Sequence, residues 1–334
     1  MSVIIGVDVG GTKVAACPVD RSGKVLAPPL YEPSAASDTD SFINGLRETL
    51  KRAMDQFGSF GPDAIGLACA GTVDAARRLV VTSPNLPLRR VPLAELLRDS
   101  VGIEVVLEND VNAALLAEAT VGVATGLRHV VMLALGTGVG GALLLDGRLY
   151  RGVGGGAGEL GHTVVSGGGE LCHCGARGCL EMYTSGRALA RFAEERARNE
   201  AEDPDGILAR MSELNTLDGQ SVGRLAARGY PGALGAAREL ALWLGRGLVS
   251  LVNAFNPEMI VVGGGVADMD EIVLGPAREY VRERAMAPNR DQVQVVRAAL
   301  GNSAGIVGAA LAAWEALGAI PESDAGTACR PERS

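Results

Sequence analysis

The sequence predicts an α/β protein made of two related halves, and two observations carry this prediction. A glycine-rich turn joins two apolar, β-branched segments near the start of the chain, in VIIGVDVGGTKVAACPVD. The order strand, Gly/Thr turn, strand, Asp-Gly turn, strand returns from His129 in HVVMLALGTGVGGALLLDGRLY. Such repetition is typical of an internal duplication, with two half-domains facing a cleft. The alternative is a chance likeness between two glycine-rich hairpins.

Length and charge limit the classes of protein that the chain can belong to. Its 334 residues, 47% apolar and 21% charged, are enough for two packed domains. The formal net charge is -8 and no run of Lys or Arg exceeds a pair, which excludes the basic footprint of a nucleic-acid binder. No apolar stretch is long enough to cross a bilayer, and no secretion signal is recognisable at the start. We therefore expect a cytoplasmic protein without membrane or nucleic-acid partners.

Hydrophobic periodicity predicts the remaining elements. After the first hairpin, an Asp-Gly turn at 20–23 leads into a third strand. The predicted helices span 40–57, 110–122, 185–200, 219–228, 232–254, 270–286 and 303–317. The predicted buried strands span 64–71, 104–109, 259–266 and 293–298. A loop is expected over 200–206, and the tail 321–334 is expected to be disordered.

The first glycine turn is a candidate phosphate site. Glycines let the backbone approach a phosphate closely, and their N–H groups then donate to it. Asp8 at the end of the preceding strand is suited to holding Mg²⁺, directly or through water. The alternative is a simple tight hairpin. The candidate ATP and magnesium residues here are Asp8, Gly10, Gly11, Thr12 and Lys13.

The second glycine turn has the spacing G-x-G-x-x-G over 136–141, which also occurs in dinucleotide-binding folds. That fingerprint requires a helix directly after the glycines. Here ALLLDGRLY follows, which alternates and turns like a β-hairpin. We therefore predict a second phosphate-binding hairpin, with Gly136, Thr137 and Gly138 as its candidate residues.

The sequence Glu108-Asn109-Asp110 stands where a buried strand ends and a helix begins. Asp110 has two interpretations, because an acid at this position is often only a helix N-cap. Beside two phosphate-binding turns, it also meets the need of phosphoryl transfer for one proton acceptor near the substrate hydroxyl. We therefore predict Asp110 to be a catalytic base.

A cluster of cysteines and histidines predicts a zinc site. Cys172, Cys174 and Cys179 lie within eight residues, whereas the other three cysteines are isolated. Three thiolates and one imidazole make a closed tetrahedral set, which normally stabilises a loop. His162 is preferred to His173 as the fourth ligand, since His173 stands between two adjacent ligands and its chelation of the same ion would be strained.

Two carboxylates flank this cluster, Glu159 before it and Glu181 after it. Carboxylate oxygens are good acceptors for the hydroxyl groups of a neutral sugar. Solvated surface glutamates are the alternative. Their positions beside the proposed metal ligands favour a role in binding sugar.

With these residues identified, the sequence resembles the ROK family of sugar kinases and regulators, and within it the ATP-dependent glucokinases of actinobacteria. The resemblance covers about residues 4–317. It rests on the motifs DVGGTK (8–13), SPNLP (83–87), ENDVNAA (108–114), LGTGVGG (135–141), ELGH (159–162), CHCGARGCLE (172–181) and VVGGGV (261–266).

This resemblance implies an actin-like, hexokinase-like ATPase fold of duplicated ribonuclease H-like domains with a zinc-binding loop. It implies a small domain of 1–112 plus about 301–320, closed by the C-terminal helix, and a larger domain of 113–300. By the motif match, Asp110 corresponds to the catalytic base, and Gly264 and Gly265 to positions that hold adenosine. The implied sugar-binding residues are Gly71, Asn85, Asn109, Asp110, Glu159, His162 and Glu181. The implied zinc ligands are His162, Cys172, Cys174 and Cys179.

The expected activity is phosphorylation of glucose with MgATP to give glucose 6-phosphate, by a homodimer or homotetramer. N-acetylmannosamine, mannose and fructose are alternative acceptors, and polyphosphate is an alternative donor. A sugar-sensing regulator is a further alternative, but family regulators carry an N-terminal helix-turn-helix, and here a strand is predicted from about residue 3. The stretch AGTVD at 70–74 departs from many relatives, which have a proline after the glycine.

Overall fold

The computed structural model describes residues 2–34 and 38–318, so the predicted tail 321–334 lies outside it. The strands are β1 (Val3–Val9), β2 (Lys13–Asp20), β3 (Leu30–Pro33), β4 (Pro62–Cys69), β5 (Thr72–Val73), β6 (Val80–Thr82), β7 (Arg89–Val91), β8 (Glu104–Asn109), β9 (Val130–Leu135), β10 (Val139–Leu145), β11 (Arg148–Leu149), β12 (Met259–Gly263) and β13 (Gln294–Arg297). The α-helices are α1 (Thr39–Phe57), α2 (Leu93–Val101), α3 (Asp110–Val121), α4 (Glu181–Thr184), α5 (Gly186–Arg196), α6 (Ile207–Glu213), α7 (Gly219–Ala227), α8 (Pro231–Phe255), α9 (Gly275–Arg284), α10 (Asn289–Gln292) and α11 (Ala304–Ala316). None of the helices in these ranges has the length and apolar character needed to cross a membrane.

The chain forms two units, each built on a five-stranded sheet. The first unit comprises the described residues up to Ala117 and those from Asn302, and the second comprises Glu118–Gly301. The first sheet has the order β3-β2-β1-β4-β8 and the second the order β11-β10-β9-β12-β13. In both sheets the first three strands are antiparallel and the other pairs are parallel. The α/β class and the internal duplication are thereby confirmed, while the domain limits stay predictions.

In the first unit, helix α11 packs directly on the central strands β1 and β4. Glycines permit this close approach. A Cβ atom on Gly6 would collide with the carbonyl oxygen of Ile306, and one on Gly66 with that of Ala309. The small residues of α11 therefore let its backbone approach the backbone of the sheet. A second apolar core contains residues of α1, α2, β1 and β4, with Phe42, Leu50 and Leu97 buried.

The second unit is built around the long helix α8. It begins with Pro231 at its first helical position and ends at Phe255, and the next residue, Asn256, caps it in a left-handed conformation with φ of 43°. Its leucines at 240, 244, 248 and 251 are buried in the core of this unit, and the helix packs against α5, α7 and α9. The helical spacing of these leucines thus correctly predicted both the helix and its buried face.

Several elements differ from the sequence prediction. The third strand begins at Leu30 rather than directly after Gly23, and strands β4 and β12 end at Cys69 and Gly263, before glycines at φ of 114° and 85°. The predicted helix 270–286 begins as a π-helical turn over Asp270–Leu274 and becomes α-helical only from Gly275. Helices α2 and α6 and the three-stranded sheet β5-β6-β7 were not predicted.

Candidate active site and metal centre

The first glycine turn closes the β1–β2 hairpin of the first unit. Gly10 N donates to Lys13 O at 3.0 Å, which forms the turn. The carbonyl oxygens of Gly10 and Thr12 accept hydrogen bonds from the side chain and the backbone of Ser34. The turn is therefore held from its carbonyl side, and its backbone amides are the groups suited to an anion.

Asp8, the penultimate residue of β1, lies in an acidic and largely buried environment. Burial, followed by the charge of Asp110, raises the pKa of Asp8 from 3.8 to about 6, although Lys13 opposes the shift. Burial and the carboxylates of Asp110, Glu108 and Asp8 together raise the pKa of the fully buried Cys69 thiol. Three acidic side chains thus surround the end of β4, where a cation would relieve their mutual repulsion.

Helix α11 borders this acidic cluster through Gly305. A Cβ atom at Gly305 would lie 2.6 Å from Cγ of Asp8. Any larger side chain would therefore displace the carboxylate. This role was not predicted from the sequence, although the many small residues of 303–313 indicate a helix that can approach its neighbours closely.

Helix α3 is capped by Asn109, and this changes the interpretation of Asp110. Asn109 Oδ1 accepts hydrogen bonds from Val111 N at 2.9 Å and Asn112 N at 3.0 Å, which is the N-cap geometry. Asp110 Oδ1 accepts a hydrogen bond from Val111 N at 3.0 Å, one residue along the chain, whereas the amide of Asn112 donates to Asn109. Capping of α3 therefore does not by itself account for an acid at position 110.

The same asparagine joins two segments predicted to bind sugar. Asn109 Nδ2 donates to Gly71 O at 3.0 Å. Gly71 adopts φ of 114°, and a Cβ atom there would collide with the carbonyl oxygen of Thr82. Asn85 lies close to the first hairpin, with its carbonyl oxygen 3.9 Å from the position of a Cβ on Gly11. The structure therefore brings Gly71, Asn85, Asn109, Asp110 and Asp8 into one region of the first unit.

Behind these residues is a buried pair that the sequence analysis did not single out. Glu108 Oε1 accepts from Asn109 N and from Asn112 Nδ2, both at 3.0 Å. Both side chains of the pair are buried. Asn109 and Asn112, which stand on either side of Asp110, thus both donate to Glu108 Oε1. This shared acceptor fixes the junction of β8 and α3.

The second glycine turn closes the β9–β10 hairpin of the second unit and is anchored from two directions. Gly136 O accepts from Gly186 N at 2.8 Å, at the start of α5. Glu181 Oε2, on α4, accepts from Val139 N at 2.9 Å. As predicted from the residues that follow the turn, a strand and not a helix continues from it.

A cavity of about 820 Å³ opens beside this hairpin within the second unit. Gly136, Thr137 and Gly265, three of the residues predicted to bind ATP, form part of its wall. Gly264 adopts φ of 85° and packs against the backbone of Leu135. The wall also contains residues that the sequence analysis missed: Arg187, Arg191, Glu194, Asn215, Asp218 and Gln220. The wall thus combines apolar residues with polar and charged ones, and a concave site with polar groups suits a small-molecule ligand.

The predicted zinc ligands lie together. The ligand atoms of His162, Cys172, Cys174 and Cys179 all fall within 4.8 Å of one another. Cys172 Sγ is 3.6 Å from His162 Nδ1, and Cys174 Sγ is 3.6 Å from Cys179 Sγ. Tetrahedral zinc with Zn–S bonds of about 2.3 Å spaces its sulfur ligands by roughly 3.8 Å. These residues therefore fit zinc in both type and spacing.

The alternative histidine has a different partner. His173 Nδ1 lies 3.1 Å from Glu181 Oε1, and also 3.8 Å from Cys172 Sγ. The side chain of Glu181 is only 13% exposed, so this contact is partly shielded from water. Glu159 is exposed and stands directly before the 3-10 turn Leu160–His162, with its carbonyl oxygen accepting from His162 N.

Comparison with known proteins defines the class. The ROK family profile matches residues 4–316, and the chain therefore belongs to the ROK family. It is 38% identical to a glucokinase of Streptomyces coelicolor over 93% of this chain and 97% of that protein. It is 35% identical to a glucokinase of Thermotoga maritima over 94% and 98% of the two chains. A crystal structure of a ROK family glucokinase from Streptomyces griseus, in complex with glucose and AMPPNP, matches with TM-score 0.79 and 37% identity, over 92% and 98% of the chains.

Proposed function

We propose that this protein is a glucokinase that transfers the γ-phosphoryl group of MgATP to glucose and forms glucose 6-phosphate. The observation that carries the proposal is the proximity of Asp8, near the end of β1, to Asp110, directly after β8; these two strands flank β4. One acid suits magnesium and the other suits a hydroxyl proton, which together meet the needs of phosphoryl transfer. Full-length similarity to glucokinases supports glucose as the acceptor.

In this proposal Asp110 accepts the proton of the sugar hydroxyl as its oxygen attacks the γ-phosphorus. The bond from that phosphorus to the bridging oxygen breaks, and the electron pair leaves with ADP. Asp8 would hold Mg²⁺, which neutralises charge on the phosphates. Asn109 keeps α3 in place through its two accepted hydrogen bonds, so the Asp110 carboxylate is carried on a fixed helix start.

Further residues proposed to bind ATP and glucose belong to the second unit. Gly136, Thr137, Gly138, Gly264 and Gly265 are proposed to contact ATP, and Gly10, Gly11, Thr12 and Lys13 of the first unit its phosphates. Glu159, His162 and Glu181 are proposed to form hydrogen bonds with sugar hydroxyls. Zinc held by His162 and the three cysteines would stabilise the loop that carries these residues. A cytoplasmic location and a homodimeric or homotetrameric state stay predictions.

The test of the catalytic assignment is Asp110→Asn. The amide preserves shape but cannot accept the proton, so turnover should fall by roughly 100- to 10,000-fold. Glucose binding, measured by calorimetry, should change much less. Asp99→Asn, on an exposed face of α2, is the matched control. Near-normal turnover in Asp110→Asn would show that Asp110 is not the base.

The test of the substrates is a coupled assay with glucose, mannose, fructose and N-acetylmannosamine, each with ATP and with polyphosphate. The expected result is the highest kcat/KM with glucose and ATP. A higher kcat/KM for another hexose would identify a different sugar kinase. Turnover with polyphosphate but not with ATP would overturn the prediction that ATP is the donor.

A further inference from the structure

The wall of the cavity beside the second hairpin contains an arginine, Arg187, that forms no ion pair with the residues that the structure describes. Four ionisable residues line the cavity: Arg187, Arg191, Glu194 and Asp218. A nucleoside triphosphate is strongly anionic, and the chain itself carries a net charge of -8. Binding at this place therefore requires local positive charge.

Three of the four side chains have hydrogen-bond or ion-pair partners within the protein. Arg191 pairs with Glu195 at 3.0 Å and donates to Met182 O at 2.9 Å. Glu194 accepts from Ser212 Oγ at 3.0 Å. Asp218 caps α7, and the hydrogen bonds from Ser221 hold the pKa of its carboxyl below the usual value.

Arg187 differs from them. Within residues 2–34 and 38–318, no carboxylate lies within ion-pairing distance of its guanidinium. An exposed arginine needs no explanation when it stands on an open surface, but this one lines an 820 Å³ cavity. Its charge is therefore available to an anion in that cavity.

The backbone places Arg187 beside the glycine hairpin. The preceding residue, Gly186, donates its N–H to Gly136 O at 2.8 Å. Gly136 and Thr137 share the cavity wall with Arg187. Arg187 therefore directly follows the residue that contacts the hairpin. The planar set of donors on its guanidinium suits phosphate oxygens.

We propose that Arg187 binds the phosphate chain of the donor nucleotide. The proposal rests on the proposed function in that ATP is the donor. It adds a specific division of contacts: the guanidinium contacts phosphate and not the nucleoside. Removal of the charge should therefore weaken ATP and leave adenosine almost unaffected.

The experiment measures binding of ATP, ADP and adenosine by calorimetry to the wild type and to Arg187→Met, Arg187→Lys and Arg238→Met. Loss of a charge-assisted contact should weaken ATP about 10- to 100-fold in Arg187→Met, with a partial recovery in Arg187→Lys. Adenosine affinity should change less than twofold. Arg238, an exposed arginine on α8 outside the cavity wall, is the matched control and should bind ATP as the wild type does.

The outcomes separate this inference from the proposed function. Unchanged ATP affinity in Arg187→Met, with a wild type that binds ATP and phosphorylates glucose, overturns the role of Arg187 alone. An equal loss of ATP and adenosine affinity also overturns it, because it would indicate a damaged cavity wall. A wild type that does not bind ATP overturns the proposed donor and, with it, this inference.

Discussion

Glu181 Oε2 accepts a hydrogen bond from Val139 N at 2.9 Å, and this contact joins the cysteine loop to the second glycine hairpin. Glu181 follows Cys179, the third cysteine of the cluster, by two residues. The carboxylate proposed to bind sugar therefore also holds the backbone of a hairpin proposed to bind ATP. A change at this residue should affect both substrates.

Substitutions at Glu181 should separate these two roles. Glu181→Ala removes the acceptor for Val139 N, so the KM for ATP should rise about tenfold, together with the KM for glucose. Glu181→Gln keeps an oxygen for Val139 N, so its KM for ATP should stay within twofold of the wild type while its KM for glucose rises. Steady-state kinetics measures both constants, with Glu170→Gln on the same loop as the control. A normal KM for ATP in Glu181→Ala would contradict the anchoring role.

The raised pKa of Asp8 predicts a pH-dependent stability. The folded protein binds the proton of the Asp8 carboxyl more tightly than the unfolded chain does. The contribution of this protonated carboxyl to the free energy of unfolding is therefore fully present below about pH 4 and is lost as the pH rises to about 6. The lost stability amounts to up to about 3 kcal/mol. Asp8→Asn should therefore stabilise the protein at pH 7.5, without added magnesium, and much less at pH 4.

Urea unfolding at the two pH values measures this difference. An equal effect of Asp8→Asn at pH 4 and pH 7.5 would contradict the role of the Asp8 charge. Turnover provides a separate readout: the same variant should be nearly inactive if Asp8 holds magnesium. Stability and activity are thus expected to change in opposite directions.

Cysteine substitution should test the metal centre. Cys174→Ser replaces a thiolate with a weaker ligand, so stoichiometric zinc should be lost and the melting temperature should fall. Elemental analysis of the purified protein measures the metal directly. Cys17→Ala, in the buried part of β2, should keep one zinc per chain and serves as the control. Wild-type protein free of zinc would refute the prediction.

Two glycine-to-alanine substitutions should have opposite effects on stability. A Cβ at Gly308 of α11 would overlap the carbonyl oxygen of Ala113, so Gly308→Ala should destabilise the protein by about 3 kcal/mol. Gly45 is exposed within α1 and has nothing within 4 Å of its Cβ position, so Gly45→Ala should stabilise by about 0.8 kcal/mol. Chemical denaturation compares the two. Similar small effects would show that α11 is loosely packed.

Much of the fold could be predicted because its signals are local. The leucine spacing of α8 and the glycine turn at 10–12 each specify an element within a few residues. Helix α6 has only seven residues and carries too few periodic positions to be recognised. Helix α2 has nine residues, as α7 does, but it begins without the side-chain cap that Asp218 provides for α7. The sheet β5-β6-β7 depends on pairing between strands of two or three residues, which sequence periodicity does not reveal.

The site residues could be predicted where reactive or metal-binding side chains lie close together in the sequence, and less well where their role depends on packing. The four proposed zinc ligands lie within 18 residues and were found from spacing alone. Gly305 and Arg187 were missed, because their importance arises from contacts with distant residues or from a cavity. For Asp110, the sequence alone was compatible both with a helix N-cap and with a catalytic base. The hydrogen bonds of Asn109 assign the cap to the neighbouring residue.

The repeated sheet order allows a residue-by-residue comparison of the two units. The penultimate residue of the first central strand is Asp8, paired with Ala15 and Ala68. Its counterpart in the second is Ala134, paired with Gly140 and Gly263. One copy of the same framework thus carries an acid where the other carries a methyl group. The two copies have become electrostatically unlike, so exchanging Asp8 and Ala134 would preserve composition and sheet geometry while placing the carboxylate on the wrong copy.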